Sequence, residues 1–242
     1  MRPRSRRVLG WLVRLLLIPI LAFIAAGMIR AIGRISFDMG RGELLLVAAS
    51  GFAVGVVAFS LISPFISVYV LGHELTHWLI AKLFRRRTDS FTVGNGRGSV
   101  RIERPNVWIV LSPYFLPLYT VIWIILCFLV GIWHWPPWMP AVLYFGVGIT
   151  YAFHAVLTGL TILRRQPDLK WYGPVFSLSL IIAVNVTILF WGLVYCANDF
   201  RSGVRNLHGS YSAQWQELCS IVHYVRDRSS ACRSPAHPPA GE

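Results

Sequence analysis

The sequence predicts an all-α polytopic membrane protein with about five to six transmembrane helices and a small β-hairpin-like insertion. Of its 242 residues, 55% are hydrophobic and only 14% are charged, whereas soluble globular domains carry about a quarter charged residues. Apolar runs long enough to cross a hydrocarbon layer of about 30 Å recur along the chain. We therefore expect three regions: N-terminal membrane segments over 1–64, a membrane core over 65–197 and a polar, partly disordered tail over 198–242.

The chain carries a net charge of +13, most of it from arginine. The basic residues lie in connectors beside apolar runs, where Lys and Arg set orientation and contact anionic head groups. We therefore expect the lipid bilayer as a partner and no nucleic acid. The rule that positive loops face the cytoplasm places the connector 85–106 and the turn after residue 163 on the cytoplasmic side of a plasma or inner membrane. The basic N-terminus favours the same side, which leaves open how many times the chain crosses before residue 85.

The first predicted span covers residues 11–32 and is expected to remain uncleaved. The next apolar run, 44–84, would make a single helix roughly 60 Å long at 1.5 Å per residue, about twice the hydrocarbon thickness. It therefore contains two segments, and the break is expected near Pro64, which removes a backbone donor. The second segment, 65–84, contains the polar motif described below.

The connector 85–106 has the pattern of a β-hairpin. The short β-prone runs "SFTV" and "SVRIE" flank "GNGRG", and an Asn-Gly pair between such runs is typical of a tight hairpin turn.

Three further spans are expected after the hairpin. They are residues 107–132, interrupted by Pro113 and Pro117, residues 139–163 and residues 174–197. The connector "WHWPPW" between the first two is rich in Trp, which is enriched at membrane–water interfaces.

The tail after residue 197 is polar, and its end, "SPAHPPAGE", has a composition typical of disorder. Cys219 and Cys232 lie in this tail and could pair only if it faces an oxidising compartment. No CxxC occurs among the four cysteines, which argues against a structural zinc ribbon.

The stretch "VLGHELTHWLIAK", residues 70–82, contains His73, Glu74 and His77 in the pattern H-E-x-x-H. On a helix, positions i and i+4 share a face, so the two imidazoles can bind one zinc ion from adjacent turns. Glu74 would then lie close enough to act as general base on a water held by the metal. Ionisable groups in an apolar helix are costly without a metal, a partner or a wet cavity, and this favours zinc over a pair of merely structural histidines.

A catalytic zinc site usually has three protein ligands, so a third must come from elsewhere in the chain. Asp168 lies just beyond the end of the span 139–163, on the side of the membrane near which the motif lies. It could equally pair with a neighbouring basic residue in a solvated turn. His154 is the alternative ligand, because its depth in the same span resembles that of the motif, and it could instead line the cavity.

Taken together, these residues resemble the site-2-protease-type intramembrane zinc metallopeptidases. The resemblance covers about residues 65–197 and rests on "HELTH", the hairpin after it, the spans opening with "LSPYFLPLY", and the Asp in "QPDLKWYG". One departure is that Leu169 follows Asp168 where the family commonly has an Asp-Gly pair.

The resemblance implies one zinc ion per chain, bound by His73, His77 and Asp168, with Glu74 as general base. It implies an intramembrane metalloendopeptidase that cuts membrane-embedded or membrane-tethered protein substrates, presented as a strand beside the hairpin. Two other functions stay open from the sequence: a non-catalytic membrane protein that binds or transports a divalent metal, and an inactive protease-like scaffold.

Overall fold

The structure is a computed structural model that describes residues 3–61, 66–94, 97–163 and 166–231. Within those ranges the chain is mostly helical, with one antiparallel pair of strands. In chain order the elements are α1 Pro3–Ile32, α2 Met39–Leu61, α3 Ile66–Leu83, β1 Thr88–Gly94, β2 Arg97–Ile102, α4 Val107–Leu111, a 3₁₀ turn Ser112–Tyr114, α5 Leu118–Trp133, α6 Met139–Leu163, α7 Pro167–Tyr172, α8 Pro174–Ala197 and α9 Phe200–Ala231.

Four of the described helices are long and apolar enough to cross a membrane, namely α1, α2, α6 and α8. The segments Val107–Tyr114 and Leu118–Trp133 pass the same test as a pair bent by 74°, which makes a fifth if they are one broken span. The prediction of a multi-pass, mostly helical protein agrees with this. The four helices fall short of the expected five to six spans, and the lower number is reached only if the bent pair is one span. Helix α3 is not among the four, because the motif's polar side chains dilute its apolar character.

Several element boundaries fall where the sequence places them. Helices α6 and α8 occupy the spans expected over 139–163 and 174–197. Helix α8 begins with Pro174, preceded by Gly173 at a positive φ of 91°, and proline is favoured in the first helical turn. Helix α2 ends at Leu61 and α3 begins at Ile66, while the expected break residue, Pro64, lies outside the described residues.

The predicted hairpin is confirmed as a two-stranded antiparallel sheet. Strands β1 and β2 pair in a register that sets Val93 opposite Gly98. The Asn95-Gly96 pair expected at the turn lies outside the described residues. Both strands pack against α3, so the sheet lies beside the helix that contains the motif.

The membrane helices pack closely through small residues. Helix α2 lies against α6, where Gly51 faces the Phe145 backbone, Gly55 faces Ala152, and Gly148 faces the backbone of α2. Small residues let helix backbones approach when lipid supplies no hydrophobic driving force between them. Helix α1 packs along α8 through larger apolar side chains, among them Leu21, Met28 and Phe190.

The region expected to be a polar tail contains helix α9, which the sequence reading did not anticipate. Leu207 and Tyr211 pack into a core cluster with α1 and α8. The Tyr211 hydroxyl donates to the Ile24 carbonyl at 3.0 Å, and Arg30 pairs with Glu217 at 2.8 Å. Its apolar residues recur at helical spacing among polar ones, and that is enough to form an amphipathic helix. Cys232 and the final "SPAHPPAGE" lie outside the described residues.

Candidate metal centre

Helix α3 presents the two motif histidines on one face. The rings of His73 and His77 lie with their centroids 4.9 Å apart, one helical turn from each other. Gly72 lets α5 approach here, because a Cβ at this position would collide with the Tyr119 ring. The Tyr119 hydroxyl in turn donates to the Val68 carbonyl at 2.5 Å. The Tyr119 ring therefore packs against α3 just before the first histidine.

Asp168 completes a set of three donor groups. Its Oδ2 lies 3.4 Å from Nε2 of His73 and 3.6 Å from Nε2 of His77. One donor atom from each of the three residues lies within 4.8 Å of the others. Two ligands about 2.1 Å from a tetrahedral ion lie about 3.4 Å apart, so these spacings fit a zinc-sized site.

Asp168 reaches this point through the short helix α7. Pro167 is the first residue of that helix, and Leu169, directly after the Asp, is buried in a core cluster with Tyr114 and Leu180. The leucine thus anchors α7 in the core. Burial raises the pKa of the Asp168 carboxyl, but the two histidines outweigh it and hold that pKa well below its ordinary value.

His77 is oriented by a backbone carbonyl that a proline leaves available. Its Nδ1 lies 2.8 Å from the Ile109 carbonyl, so the ring donates from Nδ1 and keeps Nε2 free for a metal. In a continuous helix the N–H four residues later would take that carbonyl. That residue is Pro113, which has no N–H. Ser112 Oγ donates to the same carbonyl at 3.0 Å.

His73 and Asp168 also have hydrogen-bond partners outside the donor set. The Tyr69 hydroxyl lies 3.5 Å from Nδ1 of His73, and the Tyr114 hydroxyl donates to Oδ2 of Asp168 at 3.1 Å. Such outer partners fix the orientation of ligands in metal sites. Neither tyrosine was predicted from the sequence. Tyr69 is four residues before His73 and could have been found from helical spacing, whereas Tyr114 is 54 residues from Asp168 and left no local signal.

Glu74 stands apart from the three donors on the wall of a large cavity. The cavity has a volume of about 650 Å³ and is lined by the donors, by β2 and by Trp171. The backbone of Val100 in β2 hydrogen-bonds the Glu74 carboxylate. Gly98 makes this approach possible, since a Cβ there would come within 2.5 Å of the Glu74 Cγ. The carboxylate is thus held at the cavity wall beside the donor set and is not one of its members.

His154, the alternative ligand, lies outside the donor set. It is 8% exposed and lines a separate small cavity of about 20 Å³ on the other side of His73. Its Nε2 has no hydrogen-bond partner among the described residues, and its ring hydrogen-bonds the backbone of Tyr114. The structure therefore brings together His73, His77 and Asp168. His154 lies at the smaller cavity, outside this group.

Comparison with known proteins adds no relative: the chain matches no protein-family model, no curated protein and no solved structure.

Proposed function

We propose that this protein is an intramembrane zinc metallopeptidase that hydrolyses peptide bonds of membrane-embedded protein substrates. The observation that carries the proposal is the meeting of His73, His77 and Asp168 at metal-ligand spacing, with the Glu74 carboxylate beside them on an open cavity. A purely structural cluster would not need a carboxylate that faces the cavity and stands outside the donor set.

Zinc is the metal that we propose for this site. Two imidazoles and one carboxylate, with a fourth position open to a cavity, form the donor set of a catalytic zinc site. Carboxylate- and carbonyl-rich sites are those that Mg²⁺ and Ca²⁺ prefer. When bound, zinc would polarise the scissile carbonyl and make a water molecule more acidic.

The residues of the site have separate roles in metal binding and proton transfer. His73, His77 and Asp168 hold the metal, and the Ile109 carbonyl keeps the His77 ring in the tautomer that leaves Nε2 free. Glu74 accepts the proton of the attacking water and returns it to the leaving amine when the peptide bond breaks. The hydrogen bond from the Val100 backbone keeps this carboxylate aimed along the cavity wall.

The substrate would enter the cavity as an extended chain beside β2. Strand β2 pairs with β1 on one side and lines the cavity next to Glu74. Main-chain hydrogen bonds to an exposed strand hold a peptide in extended form. A membrane helix must unwind before its backbone can be cut, and such pairing stabilises the unwound segment. We place this entrance on the cytoplasmic side, because the strands carry Arg97 and Arg101.

Glu74→Gln tests this function, because the amide keeps the shape of the side chain but cannot take a proton. New protein N-termini would be compared, by mass spectrometry, in membranes of cells that express the wild type or the variant. We expect the wild type to produce N-termini that the variant does not, while purified variant and wild type both contain one zinc ion per chain. Identical sets of N-termini with zinc present would indicate a non-catalytic metal-binding or transport protein. Identical sets without metal in the wild type would indicate an inactive scaffold.

A further inference from the structure

We propose that Tyr114 is a positioning residue for the metal centre, which sets the direction from which Asp168 approaches the metal. This proposal rests on the proposed metal site and adds a residue that no sequence motif marks. Its basis is the hydrogen bond from the Tyr114 hydroxyl to Oδ2 of Asp168, the same oxygen that faces both histidines.

Asp168 needs such a partner because its own helix does little to orient the side chain. Helix α7 has six residues, Pro167–Tyr172. An aspartate side chain there can rotate about two bonds, and its carboxylate has two oxygens that a metal could use. A hydroxyl that donates to Oδ2 restricts this freedom and lowers the entropy lost when the metal binds.

Tyr114 is itself rigid, as a positioning residue must be. Its side chain is fully buried in the cluster that contains Leu169, and its ring meets the His73 ring edge to face at 5.4 Å. One side chain therefore touches two of the three donor residues. The burial is close to complete, so the ring cannot turn its hydroxyl away without moving the core around it.

The backbone of Tyr114 is held from two further helices. The Asn185 side-chain amide on α8 donates to the Tyr114 carbonyl at 3.0 Å, and the His154 ring on α6 hydrogen-bonds the same backbone. These contacts explain two polar residues inside apolar helices that take no part in the donor set. They connect α6 and α8 to Asp168 through a single tyrosine.

The test compares Tyr114→Phe with a matched control, Tyr119→Phe. Each variant keeps the ring and removes one hydroxyl that donates to an oxygen, but the Tyr119 hydroxyl bonds the Val68 backbone and touches no donor. We expect Tyr114→Phe to weaken zinc affinity about ten- to a hundredfold, the loss typical of an outer-shell partner. Tyr119→Phe should leave the affinity within about threefold of the wild type.

A double-mutant cycle shows whether the tyrosine acts through Asp168. In an Asp168→Ala background, Tyr114→Phe should have little further effect on zinc affinity, because the group that it positions is gone. The d–d absorption spectrum of the Co²⁺-loaded protein provides a second readout, and Tyr114→Phe should change its shape. Equal zinc affinities and spectra in wild type and Tyr114→Phe would overturn the proposal, as would the same loss in both backgrounds.

Two results separate this proposal from the proposed function. If the wild type binds no zinc, the metal site itself is wrong. If the wild type binds zinc and Tyr114→Phe binds it equally well, only the role of Tyr114 is wrong. Should Tyr114→Phe unfold at a lower temperature, Asn185→Leu gives a milder variant that loosens the Tyr114 carbonyl without touching the hydroxyl. It should weaken zinc affinity in the same direction, and an affinity equal to the wild type's would count against the proposal.

Discussion

Two histidine-containing sites lie on opposite sides of His73, and they differ in how their donor atoms are arranged. On one side of His73, three donor atoms from α3 and α7 converge within 4.8 Å and face a cavity of about 650 Å³. On the other side, His154 lines a cavity of about 20 Å³, and its Nε2 has no hydrogen-bond partner among the described residues. The first cavity has room for a peptide, and the second has room for about one water.

The difference shows that convergence, and not burial alone, marks a metal site. Both regions contain histidines surrounded by apolar helices, and sequence position alone made His154 a rival ligand. In the first region each donor has a second partner that fixes its orientation, from Tyr69, the Ile109 carbonyl or Tyr114. His154 is also held, by the Tyr114 backbone, but it belongs to no such group of three donors among the described residues.

The largest effect is expected from His77→Ala. Loss of one of two imidazoles leaves a weak two-ligand site, so the zinc content should fall from one per chain to less than about a tenth. Elemental analysis of the purified protein measures this. His134→Ala is the matched control, since His134 is exposed at the end of α5, and it should retain the full zinc content.

Asp168→Ala should weaken zinc affinity by at least about a hundredfold, because a ligand contributes more than its outer partners do. Competition with a chelator of known affinity measures the change. A substitution at the alternative ligand, His154→Leu, should weaken zinc affinity less than about tenfold, because His154 acts on the donors only through the Tyr114 backbone. If the two results were exchanged, His154 would be the third ligand.

Gly98→Ala should lower cleavage about ten- to a hundredfold while zinc content stays at one per chain. The added Cβ forces β2 and the Glu74 side chain apart, and a displacement of about 1 Å at a catalytic group has this size of effect. Gly94→Ala is the matched control, because a Cβ at Gly94 meets no atom within 4 Å. Equal loss in both variants would mean that the hairpin tolerates no side chain and would remove the evidence for a specific contact.

The smallest effect is expected from Glu217→Gln, far from the centre. The pair between Arg30 and Glu217 is largely exposed, and exposed pairs contribute little to stability because solvent screens them. The variant should keep full zinc content and cleavage, with an unfolding temperature within a few degrees of the wild type's. A loss of zinc in this variant would show that α9 supports the metal centre.

The sequence predicted the parts of the molecule that depend on local patterns. Helices α6 and α8 follow from apolar length and proline positions, the hairpin from its turn residues, and His73 and His77 from helical spacing. It did not predict α9, whose apolar residues are spaced on one face among many polar ones. It also could not show that Pro113 leaves the Ile109 carbonyl for His77, or that Tyr114 reaches Asp168, because these contacts depend on how distant segments pack.

The most direct test of the central claim is an anomalous-scattering map of the purified protein, recorded on both sides of the zinc absorption edge. We predict one peak per chain, about 2.0–2.2 Å from Nε2 of His73, Nε2 of His77 and a carboxylate oxygen of Asp168. The absence of a zinc peak in protein purified without chelators, or a peak bound to His154 in place of Asp168, would contradict the account.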